Sequence, residues 1–147
     1  MSHIKRSALV HYSPAEMYAL VNDITAYPDF LPWCKSASVI GQSEGEMIAS
    51  IEIARGALNK SFTTKNSLRP NKKIEISLVD GPFKTLHGAW IFHKLKRDDA
   101  CKIELDLKFK FDSGLVSLAA KPVFSQIANS LVDAFTKRAV EVYGERG

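Results

Sequence analysis

The sequence predicts an α+β fold in which a curved antiparallel sheet wraps a long C-terminal helix, and three observations carry that prediction. A capped helix comes early, about six strands of alternating polarity follow, and an amphipathic helix ends the chain. Each strand offers one apolar face and the last helix one apolar stripe, so wrapping the sheet around the helix buries both. Such a wrap leaves an internal cavity. With no catalytic set evident in the sequence, the pattern points to a binding module rather than an enzyme.

Taken in order, His3 to Tyr12 reads as a short strand with Ile4, Ala8 and Val10 on one face. Ser13-Pro14-Ala15-Glu16 is a helix start: Ser13 caps, Pro14 fits the first helical position and Glu16 closes a capping box. Met17, Leu20, Val21 and Ile24 then recur at helical spacing, for a helix of about three turns to near Thr25. Tyr27 to Cys34, YPDFLPWC, holds two prolines four residues apart, which forbid a regular helix or a central strand. Its large apolar residues Tyr27, Phe30, Leu31 and Trp33 are expected to fold back over the core.

Strands resume at about Lys35. Met47, Ala49, Ile51 and Ile53 share a face, and Arg55 to Asn59 reads as a hairpin loop. Phe62, Thr64 and Leu68 mark one face of the return strand, and Pro70-Asn71 turns the chain into Ile74, Ile76 and Leu78. Asp80-Gly81-Pro82 is a strong turn signal, after which Leu86, Gly88, Trp90 and Phe92 share a face. Cys101, Ile103, Leu105, Leu107, Phe109 and Phe111 alternate with charged residues, one face buried and one in water. Gly114 breaks that pattern. From Leu115 the period becomes helical, with Leu118, Ala119, Val123, Phe124, Ile127, Leu131, Ala134, Phe135, Arg138 and Val142 in one stripe. Roughly 28 residues make a helix of about 40 Å, which Pro122 should kink or divide.

Composition narrows the class. The 147 residues suit one domain spanning the whole chain, with a hydrophobic fraction of 46% and a formal charge of +4. That mild excess is compatible with RNA or anionic lipid and requires neither. Cys34 and Cys101 carry no metal-ligand spacing and need no disulfide, so a reducing compartment is the simpler reading. A signal-peptide core is absent from MSHIKRSALVHY, and no run approaches about 18 apolar residues; the expectation is a cytoplasmic protein.

Catalytic and metal-binding candidates are weak. His87 and His93 share a strand face but lie six positions apart, roughly 20 Å, too far for one metal. His3 and His11 have no acidic or thiol partner close in sequence. Glu104, Asp106 and Asp112 fall on the polar side of a strand and read as solvated, while Asp80 reads first as a turn residue. No nucleophile elbow, zinc motif or phosphate-binding glycine loop occurs. No cofactor or metal is expected.

Two surface features have binding readings beside bland ones. Lys60, Lys65, Arg69, Lys72 and Lys73 form a basic cluster, either a solvated strand face or a contact for RNA phosphates or anionic headgroups. No aromatic stacking motif accompanies it, so sequence-specific RNA reading is not expected. The hairpin tip sets Ala57 and Leu58 between Arg55 and Lys60. It is either packed on a neighbouring loop or a gate that touches a membrane surface with its apolar tip.

Four stretches in order carry a resemblance: ALVHYSPAEMYALVNDITAYPDFLPWC (Ala8 to Cys34), KSFTTKN (Lys60 to Asn66), LVDGPFKTLHGAWIF (Leu78 to Phe92) and AFTKRAVEVYG (Ala134 to Gly144). Across nearly its full length the chain resembles the START-like polyketide cyclase/lipid-transport superfamily. It is most similar to the branch that includes the ribosome association toxin RatA and the mitochondrial coenzyme Q-binding proteins. The resemblance implies the helix-grip fold, a sheet of about seven strands around the C-terminal helix. It also implies one of two functions. The first is binding of ubiquinone as a lipid chaperone in support of respiration. The second is binding of the large ribosomal subunit, which blocks subunit association and translation.

The expectation placed first is a non-enzymatic cavity for a long apolar lipid, ubiquinone foremost. Trp33, Phe83 and Trp90 are expected at the mouth and headgroup end, and Phe109, Phe124, Ile127 and Leu131 along the tail channel. Transient contact with the inner membrane surface would accompany it. The alternative is ribosome binding through Lys60, Lys65, Arg69, Lys72 and Lys73, with no role for DNA. A cyclase stands third, because it needs a polar residue projecting into the cavity.

Overall fold

The computed structural model describes residues 2–146. Seven antiparallel strands form one sheet in the order β1-β7-β6-β5-β4-β3-β2. They are β1 (Ser2–Val10), β2 (Cys34–Ser43), β3 (Glu46–Arg55), β4 (Leu58–Arg69), β5 (Lys73–Asp80), β6 (Phe83–Lys94) and β7 (Cys101–Phe111). The helices are α1 (Pro14–Asn22) and α2 (Lys121–Tyr143), with a 3₁₀ helix (Ile24–Asp29) after α1. This is the helix-grip architecture. Neighbouring strands are hairpin partners except β1, which closes the edge against β7 from Ser2↔Phe109 to Val10↔Cys101.

The sheet bends where its residues allow it. Register shifts interrupt β2 at Cys34/Ser36 and Val39/Gly41, β5 at Val79 opposite Thr63/Thr64, and β6 at Phe83/Thr85, and such bulges increase local twist. Gly88 sits where β6 meets β7 so closely that a Cβ would overlap the Asp106 carbonyl oxygen. The concave face receives α2, whose Phe124, Ile127, Ala128, Val132, Phe135 and Ala139 are buried.

Pro122 lies in the first turn of α2, where its missing N–H costs nothing. It therefore starts the helix rather than kinking it, and α2 has 23 residues instead of the expected 28 or so. The segment before it is a series of turns. Leu115 and Leu118, in phase with the stripe on paper, are 51% and 84% exposed. Val142 at the far end of the stripe is also exposed.

The capping box of α1 forms as expected. Glu16 N donates to Ser13 Oγ at 3.1 Å, and Ser13 N donates to Glu16 Oε1 at 2.9 Å. Glu16 also holds the chain end: Arg146 grips its carboxylate at 2.7 and 2.9 Å, and Tyr143 Oη donates to its carbonyl at 3.0 Å. The Ser13→Ala variant should lose about 1 kcal/mol, or about 2–4 °C of melting midpoint. The Arg146 guanidinium holds the Glu16 carboxyl below its ordinary value. A lowered folded pKa adds stability above the unfolded carboxylate range, near 4.3, and loses it as pH falls through the folded value. The Arg146→Met variant should therefore melt below wild type at pH 7 and converge with it in acid. Thermal melts at pH 7, 5 and 3 check both variants; a gap that persists unchanged at pH 3 would contradict the ionic account.

Glu104 corrects an expectation. It does project from the outer face, but it is buried rather than solvated. His93 Nε2 lies 2.8 Å and Lys5 Nζ 3.6 Å from its carboxylate, and the His93 hydrogen bond lowers its pKa. Its cover comes from β1 and β6, which local sequence does not reveal.

Candidate functional site

Between α2 and the concave face lies a cavity of about 100 Å³. Two aromatic clusters built on one face of α2 border it. Phe124 and Phe135 are eleven residues apart, close to three full turns and about 16 Å along the axis. Phe124 packs on Phe83 and Phe109, each with ring centroids 4.9 Å away. Phe135 packs on Trp90 at 5.3 Å and on Tyr27 and Phe30 at 5.4 Å. Ile127, Ala128 and Leu131 form the roof between them, and isoleucines of β3 and β5 form much of the opposite wall.

Of the residues expected to meet a ligand, Trp33, Trp90, Phe124, Ile127 and Leu131 border this cavity. Phe83 and Phe109 do not; they stand behind Phe124 as packing. Trp33 arrives from the YPDFLPWC segment, whose Tyr27, Leu31 and Trp33 fold into the core as expected. Sequence reasoning missed Asn66 and the significance of Thr64. Both are buried on β4, both line the cavity, and Thr64 Oγ1 donates to Asn66 Oδ1 at 2.9 Å. The signal was present in the alternation Phe62, Thr64, Asn66, Leu68.

The proposed gate is corrected. The β3–β4 connection is a two-residue turn, Gly56-Ala57, with Arg55 paired to Leu58 and Gly56 at φ 55°. Leu58 thus already belongs to β4 and is only 2% exposed. Ala57 alone remains at the tip, too small to anchor on a lipid surface.

The basic cluster is likewise divided. Lys65 pairs with Glu46 and Lys73 with Glu75, both at 3.0 Å. Lys60 shares the inward phase of Phe62 and lies nine positions from Arg69, roughly 30 Å along β4. A different grouping emerges at the β4–β5 turn. Phe92 N donates to Lys72 O at 2.9 Å, which sets Arg69 and Lys72 beside the end of β6, where Lys94 and then Lys96 follow. Among the described residues these four form no ion pair.

The cavity's chemistry is neutral. Its one titratable lining residue is Tyr27, whose hydroxyl donates to Val21 O and whose pKa burial pushes up. Burial pushes the Cys34 and Cys101 thiols up to about 11, which keeps both poor nucleophiles. The histidine–carboxylate pairs, His93–Glu104 and His3–Asp106 at 2.7 Å, lie on the outer face of the sheet. Among the described residues no three potential metal ligands cluster, and no helix is long and apolar enough to cross a membrane.

A helix-grip sheet wrapped around a long helix, with a neutral apolar cavity between them, defines a START-like domain. The chain belongs to the family described as polyketide cyclase/dehydrase and lipid transport, whose sequence profile matches residues 10–136. It is 48% identical over 145 residues to the ribosome association toxin RatA of Vibrio cholerae, covering 99% of this chain and 100% of that protein. It is 28% identical to the mitochondrial coenzyme Q-binding protein COQ10 homolog B of Xenopus laevis, over 95% of this chain and 59% of that one. Among solved structures, the Zhui aromatase/cyclase from Streptomyces sp. R1128 superposes with a TM-score of 0.81 over 99% of both chains. At 15% identity, that likeness concerns the fold alone.

Proposed function

We infer that this chain is a ribosome association factor that acts without catalysis, binding the large ribosomal subunit and hindering its union with the small one. The observation that carries this reading is the 48% identity to a ribosome association toxin over essentially the full length of both chains. The structure supplies a suitable contact in Arg69, Lys72, Lys94 and Lys96, a basic corner free of acidic partners among the described residues. RNA phosphates would be held there electrostatically, so binding should weaken steeply with salt. The inner membrane has no part in this reading, and the site of action is the cytoplasm.

Quinone chaperoning is the second reading, favoured by the apolar lining and by the COQ10 relative. Its difficulty is size. A cavity of about 150 Å³ takes up a single benzene, and this one has about 100 Å³. A ubiquinone with its tail would have to lift α2 away from the sheet.

One preparation separates the two. Purified large subunits should co-sediment the protein at low salt. The Arg69→Glu/Lys72→Glu/Lys94→Glu variant should lose binding, with a salt slope smaller by about three. Organic extraction of the same protein should return no stoichiometric ubiquinone. Unchanged co-sedimentation of the variant would remove the basic corner from the account, and a full complement of extracted quinone would put the second reading first.

A further inference from the structure

The outer face of the sheet, turned away from α2, carries an open trough of about 450 Å³ across β5, β6 and β7. It forms because Gly88 brings β6 against β7, while Ala89 and Ser77 are short between longer side chains. Strand register lays its residues out in rungs: Ser77, His87 and Lys108 in the first, Glu75, Ala89 and Asp106 in the second, Lys73 and Ile91 in the third. Successive rungs are two residues apart, about 7 Å along the strands. In the first, an imidazole and an ammonium stand side by side, exposed and, among the described residues, in no ion pair. In the second, Glu75 gives one carboxylate oxygen to Lys73 and Asp106 gives one to His3, and each keeps its other oxygen without a protein donor among the described residues. Ala89 is 8% exposed although it faces outward, and with Ile91 it lays an apolar floor beyond the carboxylates.

We propose that this trough binds a ribonucleotide, with the phosphate at His87 and Lys108, the ribose hydroxyls at Asp106 and Glu75, and the base on Ala89 and Ile91. The order of the rungs, donors, then free carboxylate oxygens, then apolar floor, matches the order phosphate, ribose, base. A phosphate accepts charge-assisted hydrogen bonds from an ammonium and an imidazole N–H. Ribose hydroxyls are donors suited to a free carboxylate oxygen, and the 2′-hydroxyl is what distinguishes RNA from DNA there. A continuous phosphate track fits poorly, because a second phosphate along the strands would meet Glu75 and Asp106. A free nucleotide and an unpaired nucleotide within an RNA chain share this chemistry. The site is separate from the basic corner at Arg69 and Lys72, and its failure would leave ribosome binding intact.

The test titrates the ¹⁵N-labelled full chain with adenosine monophosphate, its 2′-deoxy form, adenosine and single-stranded hexaadenylate. Adenosine monophosphate should shift the amide resonances of His87, Ala89 and Lys108 saturably. The 2′-deoxy form should bind about fivefold more weakly, the equivalent of one neutral hydrogen bond, and adenosine about tenfold more weakly, for the lost charge-assisted one. The Lys108→Met variant should weaken the monophosphate about tenfold. Lys137→Met, which removes the same charge from α2, should leave it within about twofold, because exposed charges at a distance are screened. Both positions are at the surface, and unchanged thermal melts verify that the variants fold. Hexaadenylate binding more tightly than the monophosphate, with the same resonances shifted, would support the site with RNA as the source; the reverse order would support it with the free nucleotide. Shifts confined to the basic corner, equal affinity for the ribo and deoxy forms, adenosine binding as tightly as its monophosphate, or equal losses in the two lysine variants would each overturn the assignment.

Discussion

Replacing Gly88 with alanine is expected to cost about 4 kcal/mol or more, a value reached by few single substitutions. At this chain length that lowers the melting midpoint by about 8–16 °C. The added Cβ would overlap the carbonyl oxygen of Asp106 and lie 2.8 Å from Leu107 Cα and 3.0 Å from the Asp106 carbonyl carbon. All three atoms are backbone, so no rotamer change relieves the overlap. Relief requires β6 and β7 to separate, yet Gly88 pairs with Leu107 on one side and Ile76 on the other, in the middle of the sheet. The control is Gly114→Ala. There a Cβ meets only Asp112 Oδ1 at 3.5 Å, an ordinary contact in an exposed turn, and a change within about 0.5 kcal/mol is expected. Urea unfolding of both variants decides. A loss at Gly88 as small as the one at Gly114 would mean that this close approach does not set the curvature of the sheet.

The same position shows what could and could not be read from sequence. Gly88 was legible as a member of the inward face, with Leu86 and Trp90, because alternation fixes phase. Its proximity to β7 was not, because inter-strand distance is a property of the assembled sheet. The capping box was legible to the atom, since Ser13 and Glu16 satisfy each other within four residues. The strand Cys101–Phe111 was legible because six apolar residues keep strict period two. Leu115 and Leu118 misled because they continue the helical phase of α2 beyond Pro122, where the chain has no helix to carry them. Leu58 misled because one residue more or less in a turn decides whether its neighbour is tip or strand. The cavity was foreseeable from the wrap, but its lining was only partly so. Phe109 and Phe124 look alike in sequence and touch each other, and only the position of α2 decides which one borders empty space. Asn66 went unnoticed because an asparagine among lysines and threonines reads as surface until its phase is counted.

Replacing Phe135 with alanine should cost about 3–5 kcal/mol, and the manner of the loss is as informative as its size. Phe135 is 1% exposed and joins three separate parts of the chain. It meets Tyr27 and Phe30 from the 3₁₀ helix and the residue after it, and Trp90 from β6. Arg138, one turn further along α2, lies 4.8 Å over the Phe30 ring and holds the outer side of the cluster. Removing the phenyl ring deletes these contacts and joins its vacated volume to the existing cavity, since Phe135 is part of the lining. The destabilised variant should therefore become the better host for a plain hydrocarbon. Saturating methylcyclohexane should raise its melting midpoint more than that of wild type, because a ligand that binds only the folded state stabilises by RT ln(1 + [L]/Kd). A variant that loses stability without gaining this response would show that the site collapses, so that the cavity is not held open by the sheet. A loss below about 1 kcal/mol would show that the aromatic cluster does not brace that part of the cavity. If both effects appear together, α2 is the shutter of the cavity as well as its roof. Any guest larger than about 100 Å³ must then displace Phe124 or Phe135 to enter, so its binding energy has to exceed what the cluster contributes to folding.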